Sequence, residues 1–180
     1  MTSAPVHITG PAEDTLRAHG ATLDALRDAV GGTAELLRRV DNAAAPVPGL
    51  TWTAAETAAH MVGDLGDYAR ALTRHTNGYM THANRPQESP SRLSAVVNAR
   101  HLEEIPERDL SRLAGLLEEA AAAYLAAAAA ANETAAIPTP NGLVISPATM
   151  TCLLLGEQAI HASTFRVRSR PDGISARATR

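Results

Sequence analysis

Glu157 and His161 stand four residues apart in the stretch LLLGEQAIHAST (153–164), which otherwise reads as the apolar face of a buried helix. At helical spacing, Met150, Leu153, Leu154, Glu157, Ile160, His161 and Thr164 fall on one stripe. A carboxylate on such a stripe is costly unless it is paired or bound to a metal. Residues at i and i+4 project from the same helix face, so Glu157 and His161 could hold one cation between them. A neutral imidazole nitrogen and a charge-compensating carboxylate oxygen are ligands that zinc and its neighbours accept. Two plainer readings stay open: an internal hydrogen-bonded pair, or a stripe rotated so that both residues face water.

A second polar residue in apolar company is His60, among Ala58, Ala59, Met61 and Val62. Alone it reads as a core histidine. Asp64 and Asp67 follow at i+4 and i+7, as ligands, as partners behind a ligand, or as a solvated face. The remaining histidines carry weaker signals. His7 falls in an N-terminal tail, His19 precedes Gly20 near a helix end, and His75, His82 and His101 flank loops. Arg70, Arg74 and Arg100 could bind an anion or be solvated. Cys152, beside Met150, Leu153 and Leu154, reads as a buried, inert thiol.

The elements that must position these residues are helices. Leu23, Leu26, Val30, Ala34, Leu37 and Val40 define one stripe, weakened locally by Gly31-Gly32. AAAPVPGL ends it, because Pro-x-Pro-Gly cannot continue a helix. Thr53 and Glu56 form a capping-box pattern that opens a second helix, reaching about Gly78 or His82. NRPQESPS is a loop, and residues 91 to 104 can form a short helix. Pro106 and Asp109 open a helix that runs through an alanine-rich stretch to about Asn132. Asn141-Gly142, between short β-prone runs, signals a two-residue hairpin turn, kept small by Pro138 and Pro140. Ser146-Pro147 reads as the cap and first residue of the last helix. Long helices with short connections imply an all-α, antiparallel four-helix bundle with a small β-hairpin before its last helix. Trp52 and the Pro46–Pro48 turn are expected to be structural, fixing the start of the second helix and aiming His60 inward.

Composition narrows the field. At 180 residues the chain is expected to be a single domain over 1–180, with loosely packed ends at about 1–12 and 170–180. A net charge of −3, no basic block and few aromatics argue against nucleic acid. The one cysteine excludes an internal disulfide framework and a multi-cysteine metal site, and fits a reducing cytoplasm. The N-terminus lacks the basic and apolar regions of a secretion signal, and the alanine run is too weakly apolar for a membrane span. All 16 basic residues are arginine, which with the many alanines suggests a GC-rich genome.

The stretch PVPGLTWTAAETAAHMV, followed after a Pro/Asn-Gly hairpin by LLLGEQAIHAS, resembles the DinB-like four-helix metal proteins, and most closely the mycothiol-dependent maleylpyruvate isomerase N-terminal domain group. The likeness runs from about Leu23 to Phe165. It implies that His60, Glu157 and His161 bind one divalent metal, usually zinc. Asp64, Asn98 and Thr164 are then expected to line or support the site. Members of the group often follow the last histidine with Gly-x-Asp-Leu. Here the run is His161-Ala162-Ser163-Thr164-Phe165, with Thr164 in place of the Asp. The isomerase resembles a two-domain protein, which makes maleylpyruvate an unexpected substrate for this chain.

Three protein ligands leave an open coordination position, as in catalytic zinc sites. The resemblance therefore implies a cytoplasmic, actinobacterial enzyme. Mycothiol, activated at the metal, would attack or isomerise a small electrophile in S-transferase or isomerase chemistry. One alternative is hydrolysis by metal-bound water. Another is a non-catalytic binding or interaction protein on the same fold. The partners expected are a small-molecule substrate and the thiol, with no nucleic acid and no membrane. A homodimer is left open.

Overall fold

The computed structural model describes residues 11–76 and 90–166, with side chains from 18 to 73 and from 92 to 166. Its elements follow in the order α1 (Pro11–Leu37), α2 (Ala54–Thr76), α3 (Pro90–Glu104), α4 (Leu110–Ala130), β1 (Ile137–Pro138), β2 (Val144–Ile145) and α5 (Pro147–Arg166). This is the expected helical bundle with a small antiparallel hairpin before its last helix. His7, His82 and most of both expected loose ends lie outside the described residues, as do the side chains of Arg74 and His75.

α1 begins at Pro11, well before the stripe that starts at Leu23, because proline suits the first helical turn. It also runs unbroken through Gly31-Gly32. Two glycines cost a helix about 2 kcal/mol, and burial of Leu26, Val30, Ala34 and Leu37 outweighs that.

The four long helices close a ring. α2 packs on α4, α4 on α1, α1 on α5, and α5 back on α2, while α3 rests chiefly on α2. Helices joined in sequence therefore sit at opposite corners: α1 across from α2, and α4 across from α5. The connections 38–53 and 131–146 are long crossovers, not the short links expected, because each must span a diagonal. This ring is what brings α2 against α5.

The first crossover is tied to the start of α2. Val47 N–H donates to the Trp52 carbonyl (2.8 Å), Ala54 N–H to Ala45 (2.9 Å) and Ala55 N–H to Ala43 (3.0 Å). Gly49 takes a positive φ of 80° at the tip. The capping box then forms, with Glu56 N–H on Thr53 Oγ1 (3.2 Å) and Thr53 N–H on Glu56 (2.8 Å). Asp109 caps α4 at Arg112 N–H (2.9 Å).

α4 is long and apolar enough to cross a membrane by length and composition. Here its Leu113, Leu117, Ala121 and Tyr124 stripe is buried in the bundle. On its exposed side, Glu118 accepts hydrogen bonds from both terminal nitrogens of Arg38, just past the end of α1.

The hairpin loop is one residue longer than Asn141-Gly142 alone. Thr139 N–H donates to Leu143 O (2.7 Å), and Gly142 N–H closes the turn on Thr139 O (3.0 Å). A two-residue loop would pair Pro140 with Leu143, and Pro140 has no N–H to give. Gly142, at φ 82°, takes the third loop position and packs against Leu93 of α3.

α5, capped by Ser146 at Thr149 N–H (3.2 Å), is rotated from the expected stripe. Its buried face is Met150, Thr151, Leu154, Gln158, His161, Ala162 and Phe165. Leu153 and Ile160 are 43% and 61% exposed. Thr151 is drawn inward by hydrogen bonds to Tyr124 and His19, and apolar side chains yield to it. The same rotation leaves Cys152 exposed, correcting the expectation of a buried thiol.

Candidate metal and ligand site

α2 and α5 meet around a cavity of about 360 Å³. Its floor is polar: His60, Asp64 and Asp67 from α2, and Glu157 and His161 from α5. Asn98 and Ser94 enter from α3, and Asn141 from the hairpin. Tyr68, Trp52, Leu50, Val97, Leu143, Leu153 and Leu154 complete the wall.

His60, Glu157 and His161 each place one donor atom so that all three lie within 4.8 Å of one another. His161 Nε2 is 3.2 Å from Glu157 Oε2. The His60 and His161 rings stand edge-on with centroids 5.5 Å apart, and Trp52 covers the other side of His60 at 5.0 Å. His161 is buried, whereas the Glu157 side chain is 44% exposed at the cavity mouth. Helix geometry explains the last point: Glu157 lies at the edge of the rotated buried face, between Leu154 and His161.

The electrostatics suit a site that keeps its imidazole neutral. Burial, then the neighbouring charges of His161 and His101, lowers the His60 pKa to about 4, against the opposing pull of Glu157. The hydrogen bond with His161 holds Glu157 below its ordinary range and outweighs its partial burial. Asp64 is pushed up to about 7, chiefly by burial, with Glu157 and Asp67 adding to the rise and His101 opposing it. Burial raises Tyr68 to about 12.

Asp64 and Asn98 both line the cavity. Thr164 is not among its lining residues; its hydroxyl donates to the His161 carbonyl (2.7 Å). Trp52, expected to be structural, is half-buried and forms cavity wall.

His101 is the candidate site residue that sequence reasoning missed. It sits in the last turn of α3, at the loop flank expected, but at 1% exposure. His101 Nε2 is 3.1 Å from Asp67 Oδ2, and its Nδ1 is 3.3 Å from His60 Nδ1. Room for the ring comes from Gly63 of α2, where an added Cβ would stand 2.3 Å from His101 Cγ. Gly63 in the middle of an amphipathic helix was the available signal. Arg70 and Arg100, read as solvated or anion-binding, both hydrogen-bond Asp67. Burial pushes Asp67 up, but the bonds from His101 and Arg70 and the charge of Arg100 outweigh it and keep its carboxyl low. His60, Asp64 and His101 form a second grouping within 4.8 Å.

An all-α bundle with a histidine–carboxylate floor, open to a ligand-sized cavity between α2, α3 and α5, is the class this arrangement defines. The chain belongs to the mycothiol maleylpyruvate isomerase N-terminal domain family, whose model matches residues 12–163. It is thus a mycothiol-related, DinB-like domain. No curated protein and no solved structure gives a match.

Proposed function

We propose that His60, Glu157 and His161 hold one divalent cation, zinc being the best fit, and that the protein uses it to act with a low-molecular-weight thiol, mycothiol, on a small electrophile. The observation that carries this reading is the convergence of the three donor atoms within 4.8 Å on the cavity floor. Two imidazoles and one carboxylate are a catalytic zinc donor set, and bonds of about 2.0–2.2 Å need only modest contraction from this spacing. Bound there, zinc supplies Lewis acidity that deprotonates a coordinating thiol.

The chain's own residues do the rest. Asp64, 3.5 Å from His60 Nε2 on the cavity floor, is placed to take the nucleophile's proton. Trp52, Leu50, Leu143 and Leu153 offer an apolar wall for the electrophile, and Asn98 and Asn141 offer hydrogen bonds to orient it. Among the described lining residues there are three carboxylates and no arginine or lysine. Apart from the metal, the lining therefore offers no cation to hold a dicarboxylate such as maleylpyruvate, and an uncharged electrophile is favoured. A cytoplasmic setting follows, since the reaction needs a reduced thiol.

Hydrolysis is the second reading, favoured by the same Asp64, which could equally take a proton from water. The test combines metal analysis of purified protein with calorimetric titration of mycothiol into zinc-loaded and chelated samples. Stoichiometric metal and zinc-dependent thiol binding are expected. Metal without thiol binding turns the reading to hydrolysis, and absence of metal from protein made in zinc-supplemented cells removes it.

A further inference from the structure

Two hydrogen-bonding groups, His101 and then Asp67, stand in line behind His60. The Asp67 carboxylate is 5% exposed and takes hydrogen bonds from Arg70 and Arg100. A carboxylate so held is an acceptor only, so the His101 nitrogen facing it at 3.1 Å, Nε2, carries a proton and donates. In a neutral imidazole the other nitrogen is then the acceptor. That nitrogen, His101 Nδ1, is 3.3 Å from His60 Nδ1. The bond between them therefore requires the proton on His60 Nδ1, leaving the lone pair of His60 on Nε2. His60 Nε2, with its lone pair free, stands 3.5 Å from Asp64 Oδ2 on the cavity floor.

We propose that Asp67 and His101 are positioning residues that fix the tautomer of His60, so that its Nε2 is the donor presented to a metal; this rests on the metal reading above. Partners that orient metal-bound histidines in this way are a general feature of metal sites. The chain also explains the second histidine–carboxylate grouping without a second metal, since both nitrogens of His101 already have partners. Gly63 belongs to the same device, because any side chain there would displace the His101 ring.

The test reads two quantities, the ¹⁵N shifts of the His60 ring in metal-free protein and zinc affinity by chelator competition. In wild type, His60 is expected to be protonated at Nδ1 and bare at Nε2. His101→Phe, which keeps a ring but offers no acceptor, should weaken zinc binding about ten- to a hundredfold and remove the Nδ1–H signature. His101→Gln, whose carbonyl can accept from His60, should recover most of the affinity. A wild-type His60 protonated at Nε2 would overturn the proposal, as would unchanged zinc affinity in a folded His101→Phe protein. If that variant does not fold, the wild-type tautomer alone decides. Failure of wild type to bind zinc, with the predicted tautomer present, would count against the metal reading and not against the relay.

Discussion

Two buried histidine networks share α5, and they differ in how they end. Near its start, Thr151 Oγ1 meets His19 Nε2 (3.2 Å) and Tyr124 Oη (2.8 Å) and donates to the Pro147 carbonyl (2.9 Å), while His19 Nδ1 reaches Glu133 (3.2 Å). This network is closed, and none of its members lines the cavity. Two turns further on, Glu157 and His161 bring donor atoms within 4.8 Å of one from His60 at the cavity floor. His161 Nδ1 is buried and has no hydrogen-bond partner among the described residues. The closed network joins α1, α4 and α5 and has every role filled by protein. The open one leaves donor atoms directed at a cavity. Buried histidine and carboxylate alone do not mark a binding site; incomplete satisfaction beside a cavity does.

The sharpest way to break this comparison is Glu157→Gln, which keeps shape and removes the anionic ligand. Zinc affinity should fall by more than the about 10–100-fold typical of losing a partner behind a ligand. Melting of the metal-free protein should change little, because Glu157 sits at the mouth. Equal zinc binding in the two proteins would reduce the open network to a packing pair.

Thr151→Val tests the other side. It strands His19 Nε2 and Tyr124 Oη in the core and should cost about 1–3 kcal/mol in urea unfolding, with zinc affinity unchanged. A variant that lost zinc but kept its stability would show the two networks to be one.

Gly63→Ala should cost a similar or smaller amount, about 1–3 kcal/mol for overpacking, because His101 must move. Unlike Thr151→Val, it should also lower zinc affinity, which chelator competition would show.

The smallest effect is the pH dependence of the metal-free protein. His60 has a folded pKa of about 4, below its ordinary 6.5. As pH falls from 6.5 towards 4, the unfolded chain takes up this proton and the native state does not, so stability drops. Asp64, raised from 3.8 to about 7, works the other way: the native state binds its proton first, and stability rises over the same window. Wild type should therefore be nearly flat. Asp64→Asn should expose the His60 slope, at most about 1.4 kcal/mol per pH unit. A flat Asp64→Asn profile in denaturant titrations between pH 6.5 and 4 would mean that His60 is not desolvated.

The sequence by itself determined the helices, their caps and the oddities. Thr53, Glu56, Asp109 and Ser146 act through hydrogen bonds within a turn of their own positions, so local chemistry suffices to read them. The Glu157–His161 spacing was legible for the same reason, since i and i+4 share a face wherever the helix lies. Only the tertiary structure decided which face that was. Leu153 and Ile160 look like core in sequence, yet the Thr151 network turned α5 away from them. The closeness of His60 to α5 depends on the ring in which α2 and α5 are neighbours, and no local signal encodes that order. His101 was illegible because its meaning lies in Gly63 and Asp67 on another helix, more than thirty residues away. Caps and spacings are fixed by bonds along the chain, whereas a site is fixed by packing between elements, which a linear pattern constrains but does not contain.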